Sequence, residues 1–169
     1  PRDFSTRLYS AMTAFNEADD FYFAQAEDTG RVDVATLISR HQSRILNEDQ
    51  SADMTPMAAM QAYYQFVQQQ LVACSGQTQV AGEALYCLGK LFSLKAGNDQ
   101  EGGGRLDNAK ALVFYDAAIA CDPEHYRSAN ELGVLMAKSG RLDQAKQLFQ
   151  ASLKTRQLPR VWSNLAQVH

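Results

Sequence analysis

The chain has 169 residues, 46% of them hydrophobic and 21% charged, which suits one globular domain or a short solenoid. Its net charge of -3, from 16 basic and 19 acidic residues, sets up no field of one sign, which argues against nucleic acid or an anionic membrane surface as a partner. No apolar run approaches the roughly 18 residues of a membrane span, and the opening Pro1-Arg2-Asp3-Phe4 lacks the apolar core of a signal peptide.

From Asp3 to about Gln25, apolar residues at Phe4, Leu8, Met12, Phe15 and Phe21-Tyr22-Phe23 recur at near-helical intervals, and Asp28-Thr29-Gly30 breaks the run. Asp33 can cap a second helix whose apolar positions Val34, Leu37, Ile38, Ile45 and Leu46 share a face, closed by Asn47-Glu48-Asp49-Gln50. Residues 1–54 therefore read as an N-terminal helical hairpin or cap, with Phe21-Tyr22-Phe23 sealing it. A third helix starts at Thr55-Pro56, where the hydroxyl accepts a first-turn N–H and proline loses only a donor that has no partner. It runs to Ser75 with Met57, Met60, Tyr63, Tyr64, Val67, Leu71 and Cys74 on its apolar side and a glutamine-rich outer face.

Four more helices follow, approximately Gln79 to Ala96, Leu106 to Cys121, Pro123 to Ser139 and Leu142 to Arg156, and another opens near Pro159. The breaks are short and polar, so the class is all-α with antiparallel neighbours. Residues 97–105, with three successive glycines, read as a floppy insertion, since glycine loses the most backbone freedom on ordering and has nothing to pack. No strand precedes these glycines and no Gly-Lys-Ser/Thr ends them, so a phosphate loop is not indicated.

The three cysteines, Cys74, Cys87 and Cys121, lack the paired spacing of disulfides or a zinc knuckle and are expected as buried free thiols, which leans towards a reducing, cytoplasmic setting. Cys121 and His125 have a suggestive separation, but Asp122-Pro123 between them reads as a turn and no second ligand pair exists. His41, expected on the second helix, has no partner recognisable in the sequence for general-base or nucleophilic work. Nothing points to a metal, a cofactor or catalysis. The start without Met and the stop at His169 lead us to expect a segment of a longer protein.

The strongest pattern lies from Leu85 onward. Leu85, Leu88, Gly89 and Phe92, followed by Ala111, Tyr115, Ala118 and Pro123, are echoed by Ala129, Leu132, Gly133 and Met136, then Ala145, Leu148, Phe149 and Ser152, and Trp162, Leu165 and Ala166 open a third unit. Gly133 and Ala145 are expected to face each other and let two helices approach, with Leu132 and Phe149 filling the space beside them. This series resembles the tetratricopeptide repeat over residues 81–169. Ser152 for the usual Ala, Met136 for an aromatic and a late Pro159 depart from that pattern. Residues 55–80 fit a degenerate earlier repeat helix, and the last repeat is truncated.

The resemblance implies a right-handed helical solenoid of antiparallel helix pairs whose first helices line a groove for an extended peptide or partner segment. The groove positions would be Glu83, Tyr86, Lys90 and Ser93, then Arg127, Asn130, Val134, Ala137 and Lys138, then Arg160, Ser163 and Gln167. Their basic lean suits an acidic or C-terminal carboxylate group; the plainer alternative is that they are solvated helix positions. Glu83 and Val134 do not reproduce the carboxylate clamp of chaperone-binding relatives. The expected role is a protein-interaction scaffold without catalysis. The alternative is self-association through solenoid ends, with Trp162 and Leu165 exposed at the C-terminal one.

Overall fold

A computed structural model describes residues 2–26, 33–47, 51, 54–98 and 104–168. Among the described residues it holds eight helices and no strand: α1 Arg2–Ala26, α2 Val34–Ile38, α3 Pro56–Ser75, α4 Gln79–Asn98, α5 Gly104–Cys121, α6 Tyr126–Lys138, α7 Leu142–Thr155 and α8 Pro159–Gln167. They fall into two compact units, Pro1–Cys74 and Ser75–His169.

In the first unit, Ala11, Ala14, Phe15, Ala18 and Phe21 are buried along α1, at the 3–4 spacing of one helical stripe, and so are Ala59, Met60, Tyr63, Tyr64, Val67 and Leu71 along α3. Thr55 caps α3 as its sequence suggests, Oγ1 accepting from the Ala58 N–H at 3.2 Å. Asp33 caps α2, accepting from Ala35 N–H at 3.1 Å, but that helix ends at Ile38 instead of reaching Leu46. What replaces its second half is a capture of backbone by a side chain: the Glu17 carboxylate on α1 accepts from the N–H groups of Gln42 and Ser43 at 2.5 and 3.2 Å. Those donors are satisfied without a helix. Of the expected aromatic seal only Phe21 is fully buried, whereas Phe23 is half exposed.

The second unit is built from antiparallel hairpins, α4 against α5 and α6 against α7, with α5 packing on α6 and α7 on α8 in succession. Each hairpin is closed by an aromatic ring lying on a glycine. A Cβ at Gly89 would fall 2.7 Å from the Tyr115 ring, and one at Gly133 would fall 2.6 Å from the Phe149 ring. The space opened by Gly133 is taken by the Phe149 ring. Ala111, Tyr115, Ala118, Ala145 and Phe149 are all essentially buried. Ser152, where the repeat usually has Ala, is buried too, and its hydroxyl is satisfied by donating to the Tyr126 carbonyl at 2.8 Å. Gly140 makes the α6–α7 turn at φ +76°, a left-handed conformation that favours glycine.

Several expectations are corrected at the ends. Helix α4 continues to Asn98 and α5 begins at Gly104, so Gly97, Asn98, Gly104 and Arg105 are helical; the rest of the expected insertion, 99–103, lies outside the described residues. Lys95 Nζ on α4 bonds the buried Asp107 carboxylate on α5 at 3.0 Å, joining the two helices just beside it. Helix α6 starts at Tyr126, three residues after Pro123, because His125 is its N-cap: Nδ1 accepts from Ser128 N–H at 3.2 Å. On α8 the inward residues are Val161 and Leu165, whereas Trp162 is half exposed and donates from Nε1 to Gln157 at 3.0 Å. Pro159 opens α8 as its first helical residue, where its missing N–H costs nothing. Leu88 is also exposed, where the repeat pattern had placed it inside. None of the three cysteines is in a disulfide, but only Cys121 is buried; Cys74 is partly exposed and Cys87 is exposed.

Candidate functional site

The first helices of the successive hairpins, α4 and α6, and the opening helix of the next, α8, are tied along one face by polar side chains. Arg127 Nη2 on α6 reaches Glu83 Oε2 on α4 at 2.6 Å, and the same carboxylate oxygen lies 3.1 Å from His125 Nε2. With Nδ1 accepting from Ser128 N–H, the imidazole donates its Nε2 proton to Glu83. Further along, Glu131 on α6 is bridged from both sides: Lys90 Nζ lies 3.0 Å from Oε2, and Arg160 Nη2 on α8 lies 3.6 Å from Oε1. Asn164 Nδ2 donates to Asn130 Oδ1 at 2.9 Å, across a separation of 34 residues, one repeat period.

Tyr86 sits inside this ladder. The Arg127 guanidinium lies over its ring, 5.0 Å from the centroid, and the His125 ring is 5.2 Å away, so cation–π attraction helps to hold the guanidinium in place. Burial raises the Tyr86 phenol above its ordinary pKa, and the nearby Glu131 carboxylate adds to the shift. The phenol therefore stays neutral and able to donate throughout the physiological range.

Beside the ladder, at the opening ends of α4 and α6, lies a cavity of about 700 Å³ lined by Val80, Glu83, Ala84, Asp122, Glu124, His125, Tyr126, Arg127 and Thr155 among others. Its walls are mixed. Val80 and Ala84 supply apolar surface, while Glu83 and Arg127 point paired charges at it.

Of the residues predicted for the groove, Glu83, Tyr86, Lys90, Arg127, Asn130 and Arg160 are brought into this connected set. Ser93 instead hydrogen-bonds the hydroxyl of Tyr115, 3.0 Å away. Lys138, Ser163 and Gln167 are exposed, and Lys138 has no ion pair with a described residue. Asn130 is buried, so it acts as a link between helices more than as a free surface group. Glu131, His125 and Asn164 were missed. Glu131 lies one turn beyond Arg127 on the same helix face, and Asn164 lies one period beyond Asn130; both relations were available in the sequence.

Two other candidates resolve differently. Cys121 and His125 do not act as a pair: both imidazole nitrogens of His125 are engaged with Glu83 and Ser128. Among the described residues no group of three or more His, Cys, Asp or Glu side chains is placed to hold a metal ion, and no helix is long and apolar enough to cross a membrane. In the first unit His41 lies beyond α2 and has partners that its sequence neighbourhood concealed. Its side chain is only 3% exposed, with Nδ1 2.8 Å from the Tyr63 hydroxyl and Nε2 3.3 Å from Asp20. Phe21 meets the rings of His41 and Tyr63 edge-on. Burial, with Glu17 adding, drives the Tyr63 phenol well above its usual range. A neutral phenol and an imidazole oriented by its neighbours close the core there.

The ring-on-glycine contacts and the one-period link between α6 and α8 mark a repeat, and comparison with known families agrees. Residues 104–168 match the tetratricopeptide repeat. The matched segment runs from the start of α5 through α8, leaving α4 as the first helix of the hairpin that α5 completes. No curated protein and no solved structure matches the chain. Tetratricopeptide repeats generally mediate protein–protein interaction and are typically non-catalytic.

Proposed function

We propose that residues 79–168 form a peptide-receiving scaffold whose binding face is the ladder on α4, α6 and α8, and that its ligand is an extended acidic segment of another protein. The observation that carries this reading is the charge balance of the ladder. Lys90, Arg127 and Arg160 are paired with only two carboxylates, Glu83 and Glu131, and the exposed Lys138 on the same helix as Arg127 has no ion pair with a described residue, so this set keeps an excess of positive charge after its internal pairs are made. Those pairs hold the cations in fixed positions and reduce the ordering that a ligand must impose. The neutral Tyr86 hydroxyl and the exposed Ser163 and Gln167 offer hydrogen bonds to a peptide backbone.

The arrangement also decides how to test the face. Reversing Lys90 or Arg127 would set a new carboxylate against Glu131 or Glu83 and break the side-chain ties between α4 and α6. Lys138 is exposed and has no ion pair with a described residue, so it can be reversed, whereas Arg160, 3.6 Å from Glu131, is neutralised instead. Purified protein presented with a displayed library of acidic, neutral and basic peptides should enrich acidic ones, with capture falling as salt rises. The Lys138→Glu/Arg160→Gln variant should keep its fold and lose most of that capture. Equal capture by wild type and variant, or no preference for acidic peptides, would rule out this face as proposed.

A further inference from the structure

On the side of α4 opposite its buried Gly82, Leu85 and Gly89, a row of apolar residues faces outward. Val80 is 81% exposed, Leu91 61% and Leu94 57%, with exposed Ala84 and Cys87 between them. The steps from Val80 to Ala84, Cys87, Leu91 and Leu94 alternate four and three residues, the spacing that keeps side chains on one seam of a helix and suits a second helix lying along it. Leu88, at 42% exposed, borders the seam. Isolated apolar residues on a surface need no explanation, but a contiguous stripe at this spacing does.

We propose that two copies of this chain associate through α4, packed antiparallel about a two-fold axis at Cys87. The stripe is complementary to itself. Its first half is small, with Val80, Ala84 and Cys87, and its second half is large, with Leu91 and Leu94. Antiparallel pairing about Cys87 sets Leu94 of one copy near Val80 of the other and Leu91 near Ala84, so large side chains meet small ones on both sides of the axis.

The flanking charges select the same arrangement. Glu83 and Lys90, each already paired within its own chain with Arg127 and Glu131, border the stripe on one edge, and the antiparallel pair brings Glu83 of one copy towards Lys90 of the other, so unlike charges line the seam. A parallel pair would set Lys90 beside the other copy's Lys95. This surface lies apart from the residues altered in the peptide-capture test above, so either proposal can fail alone.

The test is sedimentation velocity of the whole chain from micromolar to submillimolar concentration, beside cross-linking by a short bismaleimide in a Cys74→Ser background. The expected result is a concentration-dependent dimer that the reagent locks through Cys87. Leu91→Glu/Leu94→Glu should weaken it about a hundredfold or more, because each copy would bury two unpaired carboxylates at the seam. Both positions are exposed, so helical content and melting should change little. Cys87→Arg should have the same effect with one substitution at the axis. A wild type that stays monomeric overturns the proposal, whether Cys87 reacts freely with maleimide, as a bare face would, or is protected, as it would be under another segment of the same chain. A dimer that survives Leu91→Glu/Leu94→Glu overturns it as well.

Discussion

In the α4–α5 hairpin the ring of Tyr115 lies on the bare backbone of Gly89, and in the α6–α7 hairpin the ring of Phe149 lies on Gly133. The first ring carries a hydroxyl that meets Ser93 at 3.0 Å, and the second carries none. The connections differ too: α6 and α7 turn on Gly140, whereas α4 and α5 are separated by residues 99–103 and braced beside them by Lys95 and Asp107. What recurs is the contact between a flat ring and a helix backbone. The polar trim of the ring and the length of the turn vary because neither sets the distance between the helices.

The comparison can be broken most forcefully by removing a ring. Phe149→Ala should destabilise the protein by about 3–5 kcal/mol, as expected for an aromatic ring that is 1% exposed, measured as the shift in a denaturant-unfolding midpoint. Filling the glycine should come next. Gly133→Ala and Gly89→Ala each place a methyl group inside the ring's contact distance and should cost about 1–3 kcal/mol despite the better helix propensity of alanine. Equal or greater stability in both variants would mean that the rings move aside freely.

Smaller effects sharpen the difference between the hairpins. Ser152→Ala restores the usual repeat residue yet removes a buried hydrogen bond to the Tyr126 carbonyl, and should cost about 1 kcal/mol in thermal or chemical unfolding. Tyr115→Phe makes the first ring match the second and should cost about 0.5–1.5 kcal/mol near neutral pH. The same variant has a distinct alkaline signature. Burial raises the Tyr115 phenol from 10.0 to about 12, so between those values the folded chain keeps a proton that the unfolded chain has released. The stability this contributes is complete below about pH 10 and is lost as pH rises towards about 12. Tyr63 and Tyr86, also raised by burial, add to the decline. Tyr115→Phe should therefore make the alkaline fall in stability shallower without abolishing it, whereas no substitution at Phe149 that lacks a titrating group should do so.

The repeat half of the fold was legible because small residues and rings recur at fixed separations within each helix, Ala111 to Tyr115 as Ala145 to Phe149, and a stretch inserted between helices leaves those separations unchanged. Gly89, Tyr115, Gly133 and Phe149 could be named from the sequence; that each ring covers its own glycine could not, since periodicity assigns faces but not partners. The N-terminal unit was less legible. Leu37, Ile38, Ile45 and Leu46 share a helical face, and that pattern concealed the end of α2, which depends on Glu17 taking the backbone donors of Gln42 and Ser43 from another helix. His41 was hidden in the same way, its partners Asp20 and Tyr63 lying about twenty residues away on either side.

The candidate site shows the same division. A helical count placed Glu83, Tyr86, Lys90, Arg127 and Arg160 on first helices, but it treated them as independent surface groups with a basic lean. Glu131 turns them into a connected set, and it was missed because the count followed only positions equivalent to the groove residues already chosen. His125 was overlooked for a different reason: Pro123 marks the approach to α6, and nothing local distinguishes a capping imidazole from a residue of the first turn.

The most direct test of the account is to map where a captured acidic peptide lies. A peptide from the library, carrying a photoreactive group at its centre, would be cross-linked to the full chain and the adducts located by mass spectrometry. Adducts concentrated on α4, α6 and α8, around Tyr86, Arg127, Lys138 and Arg160, are the predicted result. Adducts on the outward faces of α5 and α7, or within residues 2–75, would contradict the account and leave the ladder as an internal brace of the repeat.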